Sequence, residues 1–203
     1  YDVHAVLTRL GRVTERPHLF YHASLLKGQD PNAVALADGR VYITNGMLNY
    51  LASRGSHDEE LAVILAHELG HTAAQHLVKR YQQAQQQQLA LMLVGLGGAI
   101  AASQTGAPVG QLAQDVASMI ANVANSNYSQ DQELEADQLG VRYLIRAGYD
   151  PYAAPRFLNA FGQLDTPNIG FLRTHPYSQR RAEDLLRYLE ELRLRGQLRA
   201  RGA

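Results

Sequence analysis

His67 and His71 stand four residues apart, with Glu68 beside the first, in the run Glu60-Leu61-Ala62-Val63-Ile64-Leu65-Ala66-His67-Glu68-Leu69-Gly70-His71. Residues four apart share one face of an α-helix. Two imidazoles presented in this way can grip one Zn²⁺ from a rigid support. Glu68 lies about 100° round the helix from His67. From there its carboxylate reaches a zinc-held water without being a ligand itself. A Lewis acid, an activated water and a base beside it are what metal-assisted peptide hydrolysis requires. Two satisfied histidines on a half-buried helix would look the same in isolation. A structural zinc site usually closes with Cys, and the chain has none.

A catalytic zinc needs a third protein ligand. A histidine six residues after His71, with a glycine three before it, is one arrangement, but those positions hold Leu77 and Ala74. His76 is five residues from His71, faces away, and reads as a packing or capping histidine. The stretch Glu133-Leu134-Glu135-Ala136-Asp137 offers the other route. Glu133 and Asp137 share a helix face, so Glu133 can ligate while Asp137 accepts the remaining N–H of a ligand histidine, best His67. Glu135 points to another face and stays open as the alternative ligand.

The elements that must carry these groups are legible in outline. Leu61, Ile64 and Leu65 have helical spacing, and Ser56 with Glu59 reads as a capping box, so a buried helix is predicted from about His57 to Tyr81 or beyond. Ser129 with Gln132 reads as a second capping box, and Gly148 is placed to end a helix over Ser129–Arg146. Val3, Val6, Leu7 and Leu10 mark a helix across residues 1–12, Leu19–Leu26 reads as a strand, and Asn32–Ile43 as a hairpin with a two-residue turn at Asp38-Gly39. Further helices are predicted over Asn45–Ala52, Val109–Val123, Pro151–Gly162 and Ser178–Arg195, with loops at Ser103–Gly110 and Thr174-His175-Pro176. Gln82–Gln88 reads either as helix continuation or as a polar connector. Leu89–Ala102 is apolar but shorter than the ~20 residues of a bilayer-spanning helix; it reads as a covered helix or as a membrane-surface or plug segment.

Composition bounds the rest. Nineteen Lys and Arg balance nineteen Asp and Glu among 203 residues, which leaves no basic footprint for nucleic acid. The hydrophobic share of 46 % supports a sizeable core, and one domain over 1–203 is expected, with 82–110 as an insert-like Gln-rich and apolar segment. The absence of Cys does not fix a compartment. The chain opens at Tyr1 without Met or signal peptide, in what reads as mid-helix, so a trimmed N-terminus is expected, with any export signal or anchor upstream.

Four blocks carry a resemblance: the helix Glu60–His76, the Glu133–Asp137 stretch, Asn32-Ala33-Val34-Ala35-Leu36 with Gly39, and His175-Pro176. In this order, across about residues 32–181, they resemble the zinc metallopeptidase family of the CAAX prenyl protease, HtpX, BepA and LoiP. Ala37-Asp38 stands where that family often has Pro-Gly. Lacking long apolar spans, the chain is similar to the soluble BepA/LoiP-like branch. The resemblance implies an α+β, mainly α, zincin-like (gluzincin) domain with a small β-hairpin sheet beside the metal helix. It implies one zinc per chain on His67, His71 and Glu133, Asp137 behind them, and catalytic roles for Glu68, His175 and Arg181. Asn32, Ala33, Val34, Ala35 and Leu36 would bind substrate backbone by β-addition. His175 would be a fourth ligand at rest or an oxyanion stabiliser when displaced, and Arg181 would meet the developing negative charge; neighbouring Arg180 reads as a surface residue. The resemblance further implies a periplasmic or envelope location, polypeptide substrates, and a role for Leu89–Ala102 near the active site or against a membrane or outer-membrane protein. Against the open peptidase stands a latent one acting as a chaperone-like binding module.

Overall fold

The computed structural model describes residues 1–55, 58–99, 127–163, 169–176 and 179–198, with residues 88–99 described by their backbone. Two compact units divide the chain: Tyr1–Ala74 with Asn127–Ala203, and Gln75–Ser126. The Ser56 capping box, the Ser103–Gly110 loop and the Val109–Val123 helix expected from the sequence lie outside the described residues.

The first unit begins with α1, Val3–Gly11, whose Val6, Leu7 and Leu10 are buried. Asp2 accepts the Ala5 N–H at 2.9 Å and caps this helix, so Val3 starts it and Tyr1 does not lie in mid-helix. Three strands follow: β1 His22–Leu26, β2 Ala33–Ala35 and β3 Arg40–Thr44. The sheet order is β1-β3-β2. β2 and β3 form the expected antiparallel pair, with Ala33 opposite Ile43 and Ala35 opposite Val41. β1 is shorter than Leu19–Leu26 and joins β3 in parallel, which no local signal disclosed. The hairpin turn also differs from a two-residue one. Leu36 N–H donates to Arg40 O at 2.8 Å and Gly39 N–H to Leu36 O at 3.2 Å. Gly39 has φ +96°, so Ala37, Asp38 and Gly39 make a three-residue loop ending on a left-handed residue, a common alternative to the tight turn. β2 is left at the sheet edge.

α2, Asn45–Ser53, is capped by Thr44, whose hydroxyl accepts the Met47 N–H. α3, Asp58–Ala73, carries Asp58, Glu59 and Glu60 in its first turn, where negative charge suits the helix dipole. Every residue from Leu61 to Thr72 is buried, the mark of a helix enclosed on all sides. It stops at Ala73 instead of running to Tyr81: Gln75 takes a left-handed backbone, φ +57°, which ends a helix. The second unit's described helix, α4, then spans His76–Ala99. It contains Gln82–Gln88, so this stretch is helix, as glutamine's fair propensity permits. No described helix is long and apolar enough to cross a membrane.

The chain returns to the first unit with α5, Gln130–Ala147. Its capping box is complete: Gln132 N–H donates to Ser129 Oγ at 3.2 Å, and Ser129 N–H to Gln132 Oε1 at 3.1 Å. Gly148, φ +75°, closes it in the left-handed conformation. α6 is Ala153–Gly162, α7 the short Gly170–Thr174 and α8 Gln179–Leu194. Thr174 thus ends a helix rather than sitting in a loop, and His175 follows as its C-cap.

What positions the site is the crossing of α3 and α5. A Cβ on Gly70 would lie 2.6 Å from Ala136 O and 2.9 Å from Ala136 Cα. One on Gly140 would lie 3.2 Å from the Ala66 carbonyl carbon and the His67 nitrogen. Without side chains at these two points the helices meet backbone to backbone. Short side chains from one then reach the other.

Candidate metal centre

α3 presents His67 and His71 from its third and fourth turns, and α5 presents Glu133 and Asp137 from its first two. α7 delivers His175. Its N-terminus is pinned beside β2: Gly170 N–H and Arg173 donate to the Asp30 carboxylate at 2.8 and 2.9 Å, and Phe171 N–H to Pro31 O at 3.1 Å. Among the described residues, His67, His71, Glu133 and His175 form the group able to hold a metal, all four buried.

Their separations are informative. His67 Nε2 lies 3.0 Å from His71 Nε2 and 3.1 Å from His175 Nδ1. Glu133 Oε1 is 3.0 Å from His175 Nδ1 and 3.3 Å from His71 Nε2, and Glu133 Oε2 is 3.5 Å from His67 Nε2. Four donors about 2.0–2.1 Å from one tetrahedral ion would be spaced by about 3.3 Å. The donors therefore fit a small divalent cation. Three imidazoles and a carboxylate without thiolate suit zinc and its neighbours rather than Ca²⁺ or Mg²⁺.

The ring orientations agree. His67 Nδ1 is 2.8 Å from Asp137 Oδ1. A carboxylate only accepts, so Nδ1 carries a proton and Nε2 is the ring nitrogen turned toward the cluster. His175 Nε2 is 3.2 Å from Glu68 Oε1, which by the same reasoning leaves Nδ1 for the cluster. Behind the carboxylates, Arg181 donates from Nε and Nη2 to the two oxygens of Asp137, both at 2.8 Å. Its Nη1 lies 2.6 Å from Glu133 Oε2 and donates to Pro176 O at 3.0 Å. The Arg181 guanidinium is buried and engaged with both carboxylates. Arg180, by contrast, is exposed and pairs with Asp184.

The enclosed charges shape one another. Burial opposes charge on His67, but Glu133 and Asp137 overcome it and raise its pKa to about 10. Burial likewise opposes charge on His175, and Glu68 and Glu133 raise its pKa. Burial, with the charges of His67 and His175, holds His71 well below the usual range against the pull of Glu133. Glu133 stays low despite burial because His175, His67 and Arg181 surround it, and Asp137 because Arg181 and His67 do. The field at this point favours positive charge, whether proton or metal.

Glu68 is fully buried. Besides its contact with His175, its Oε2 accepts the Ala35 N–H of β2 at 2.8 Å. Ala33 N–H donates to Asn32 Oδ1 at 2.9 Å. Asn32 and Leu36 flank β2, so the five expected substrate-strand residues run beside the metal helix. Glu135 is exposed on another face of α5, and His76 opens α4; neither belongs to the donor group.

Three neighbours escaped the sequence reading. Tyr128 stacks on His71 at 3.8 Å between ring centroids and 21° between planes. Phe171 stacks on His175 at 4.5 Å. Thr72 donates from its hydroxyl to Leu36 O at 3.1 Å. Tyr128 stands directly before the Ser129 cap, and Thr72 directly after His71, so adjacency to motifs was their only signal.

Comparison with known proteins shows the family. The model of peptidase family M48 matches residues 1–189. The beta-barrel assembly-enhancing protease of Escherichia coli (strain K12) is 30 % identical over 184 residues, covering 85 % of this chain and 35 % of the relative. Metalloprotease LoiP of the same strain is 28 % identical over 160 residues, 77 % of this chain and 58 % of that protein. The mitochondrial metalloendopeptidase OMA1 of Arabidopsis thaliana is 29 % identical over 153 residues, 75 % of this chain and 28 % of OMA1. The chain spans about a third of the length of the beta-barrel assembly-enhancing proteases it matches.

Proposed function

This chain belongs to peptidase family M48 and is a metallopeptidase, and from that premise we propose a zinc endopeptidase built on His67, His71 and Glu133. The observation that carries the assignment is the donor spacing of 3.0–3.5 Å among buried groups on three elements. Zinc bound there supplies a Lewis acid that polarises the peptide carbonyl and brings the pKa of water to about 7.

The protein's own groups do the rest. Glu68 takes the proton of the attacking water and passes it to the leaving amine. Its hydrogen bond from Ala35 N–H aims the carboxylate. Asp137 fixes the tautomer of His67, and Arg181 holds Asp137 and Glu133 in place. Asn32, Ala33, Val34, Ala35 and Leu36 hold the substrate as an added strand.

His175 closes the site. With its Nδ1 in the donor group and its Nε2 on Glu68, it occupies both the fourth position and the base. This arrangement supports a latent resting state, from which His175 withdraws to stabilise the oxyanion. Similarity to a beta-barrel assembly-enhancing protease supports envelope protein quality control as the setting, since β-barrels populate the outer membrane. A polypeptide loosely folded in the envelope is then the substrate class. Leu89–Ala102 is the segment proposed to meet a membrane or outer-membrane protein, testable by liposome co-flotation that Leu91→Asp and Val94→Asp abolish.

The deciding experiment measures zinc per chain and casein cleavage together. Glu68→Gln keeps one zinc and loses turnover by at least about 10²-fold. Glu133→Gln loses the metal, and Glu135→Gln does not. His175→Ala retains zinc; cleavage above wild type marks His175 as the block of a latent site, and cleavage below wild type marks it as the oxyanion donor. A zinc-replete Glu68→Gln protein with wild-type cleavage would sink the assignment.

A further inference from the structure

Glu68 and Thr72 are four residues apart and share one face of α3. They meet the last residue of the edge strand and the one after it: Glu68 Oε2 accepts Ala35 N–H at 2.8 Å, and Thr72 Oγ1 donates to Leu36 O at 3.1 Å. A third tie extends this ladder. Arg16 Nη1 donates to Thr72 O and to Ala37 O, both at 3.2 Å. One guanidinium nitrogen carries two hydrogens, so both bonds are made at once. Arg16 is itself held: its N–H donates to Thr14 Oγ1, and Tyr21 OH donates to its carbonyl at 3.0 Å. The half-buried Arg16 thus spans the end of the metal helix and the loop that leaves β2, touching neither the donor group nor the free edge of the strand.

We propose that Thr72 and Arg16 are positioning residues that set the height of β2 against Glu68. They thereby fix where a backbone paired to β2 presents its scissile carbonyl. The inference rests on the peptidase reading above. A three-residue strand at a sheet edge has little hold of its own, with β3 on one side only. Its register against α3 is set by two carbonyls, Leu36 O and Ala37 O, and one N–H. Removing the donors leaves the β2–β3 pairing intact, so substrate still binds. It loosens the distance between the bound backbone and the base, and small misplacements at a reacting centre are costly.

The test compares Thr72→Val, Thr72→Ser and Arg16→Met by steady-state kinetics on an extended peptide, with zinc content on the same samples. Thr72→Val lowers kcat about tenfold with KM within about twofold and zinc at wild-type level. Thr72→Ser keeps the hydroxyl and restores kcat, and Arg16→Met repeats the Thr72→Val pattern at smaller size. Amide exchange supplies a readout independent of turnover: the Ala35 N–H exchanges about tenfold faster in Thr72→Val than in wild type. Unchanged kcat in Thr72→Val overturns the proposal, as does an equal loss in Thr72→Ser, or a loss that follows the metal. Should wild type and His175→Ala both bind zinc and neither cleave, the peptidase reading fails. The clamp is then decided by exchange alone, and equal Ala35 protection in Thr72→Val and wild type rejects it.

Discussion

Toward α5, helix α3 meets backbone: the place of a Gly70 Cβ is 2.6 Å from Ala136 O, and buried carboxylates reach its histidines from one turn away. Toward β2, the same helix reaches out by side chains, Glu68 to Ala35 N–H and Thr72 to Leu36 O. The first contact has no slack, because packed backbone cannot give without moving a whole helix. The second consists of single side-chain hydrogen bonds, which lengthen more readily than packed backbone. The candidate metal donors His67, His71 and Glu133 thus sit on the unyielding side, and the proposed base Glu68, with Thr72, sits on the adjustable one.

Mutations on the two sides should differ in kind and size. Arg181→Met has the largest expected effect. It leaves Asp137 and Glu133 as buried carboxylates without their cation, at a cost of about 3–5 kcal/mol, measured by urea unfolding with zinc content falling alongside. Gly70→Ala comes next, at about 1–3 kcal/mol. Its methyl group must push Ala136 away and take Glu133 and Asp137 with it, so metal loss accompanies the lower melting temperature. Gly140→Ala meets backbone at 3.2 Å, needs a shift of a few tenths of an ångström, and gains helix propensity, so it should cost about 1 kcal/mol or less. Thr72→Val, on the adjustable side, should cost about 1 kcal/mol through the lost hydrogen bond and leave the metal in place. A Thr72→Val protein that loses zinc as Gly70→Ala does would break the comparison.

The smallest effect lies at the tip of the β2–β3 loop. The Arg40 side chain and backbone N–H hold the exposed Asp38 carboxyl below its ordinary value. A carboxylate with a depressed folded-state pKa stabilises the fold above its unfolded value of about 3.9 and loses that contribution as pH falls through the folded one. Arg40→Ala should move the Asp38 midpoint upward in an NMR titration while urea stability at neutral pH barely changes, as suits an exposed pair.

Local chemistry explains which parts of the molecule were legible in advance. The Ser129 box and Gly148 bounded α5 because capping is settled within four residues. The four-residue spacing of His67 with His71 and of Glu133 with Asp137 implied shared faces for the same reason. The end of α3 was misjudged because Gln75 adopts a left-handed backbone that its residue type does not announce. The parallel place of β1 was missed because it depends on residues 18 positions apart.

By itself, then, the order of residues determined the helix faces, the caps, the donor types and, through four matching blocks, the family. Only tertiary structure decided that Gly70 and Gly140 face each other's helices and that Arg181 stands behind the carboxylates. It alone placed Tyr128 against His71, His175 between Glu133 and Glu68, and Arg16 across the end of the metal helix. Helical spacing is a local property of the backbone, whereas these contacts join residues 30 to more than 100 positions apart. Packing, not periodicity, selects partners at that range.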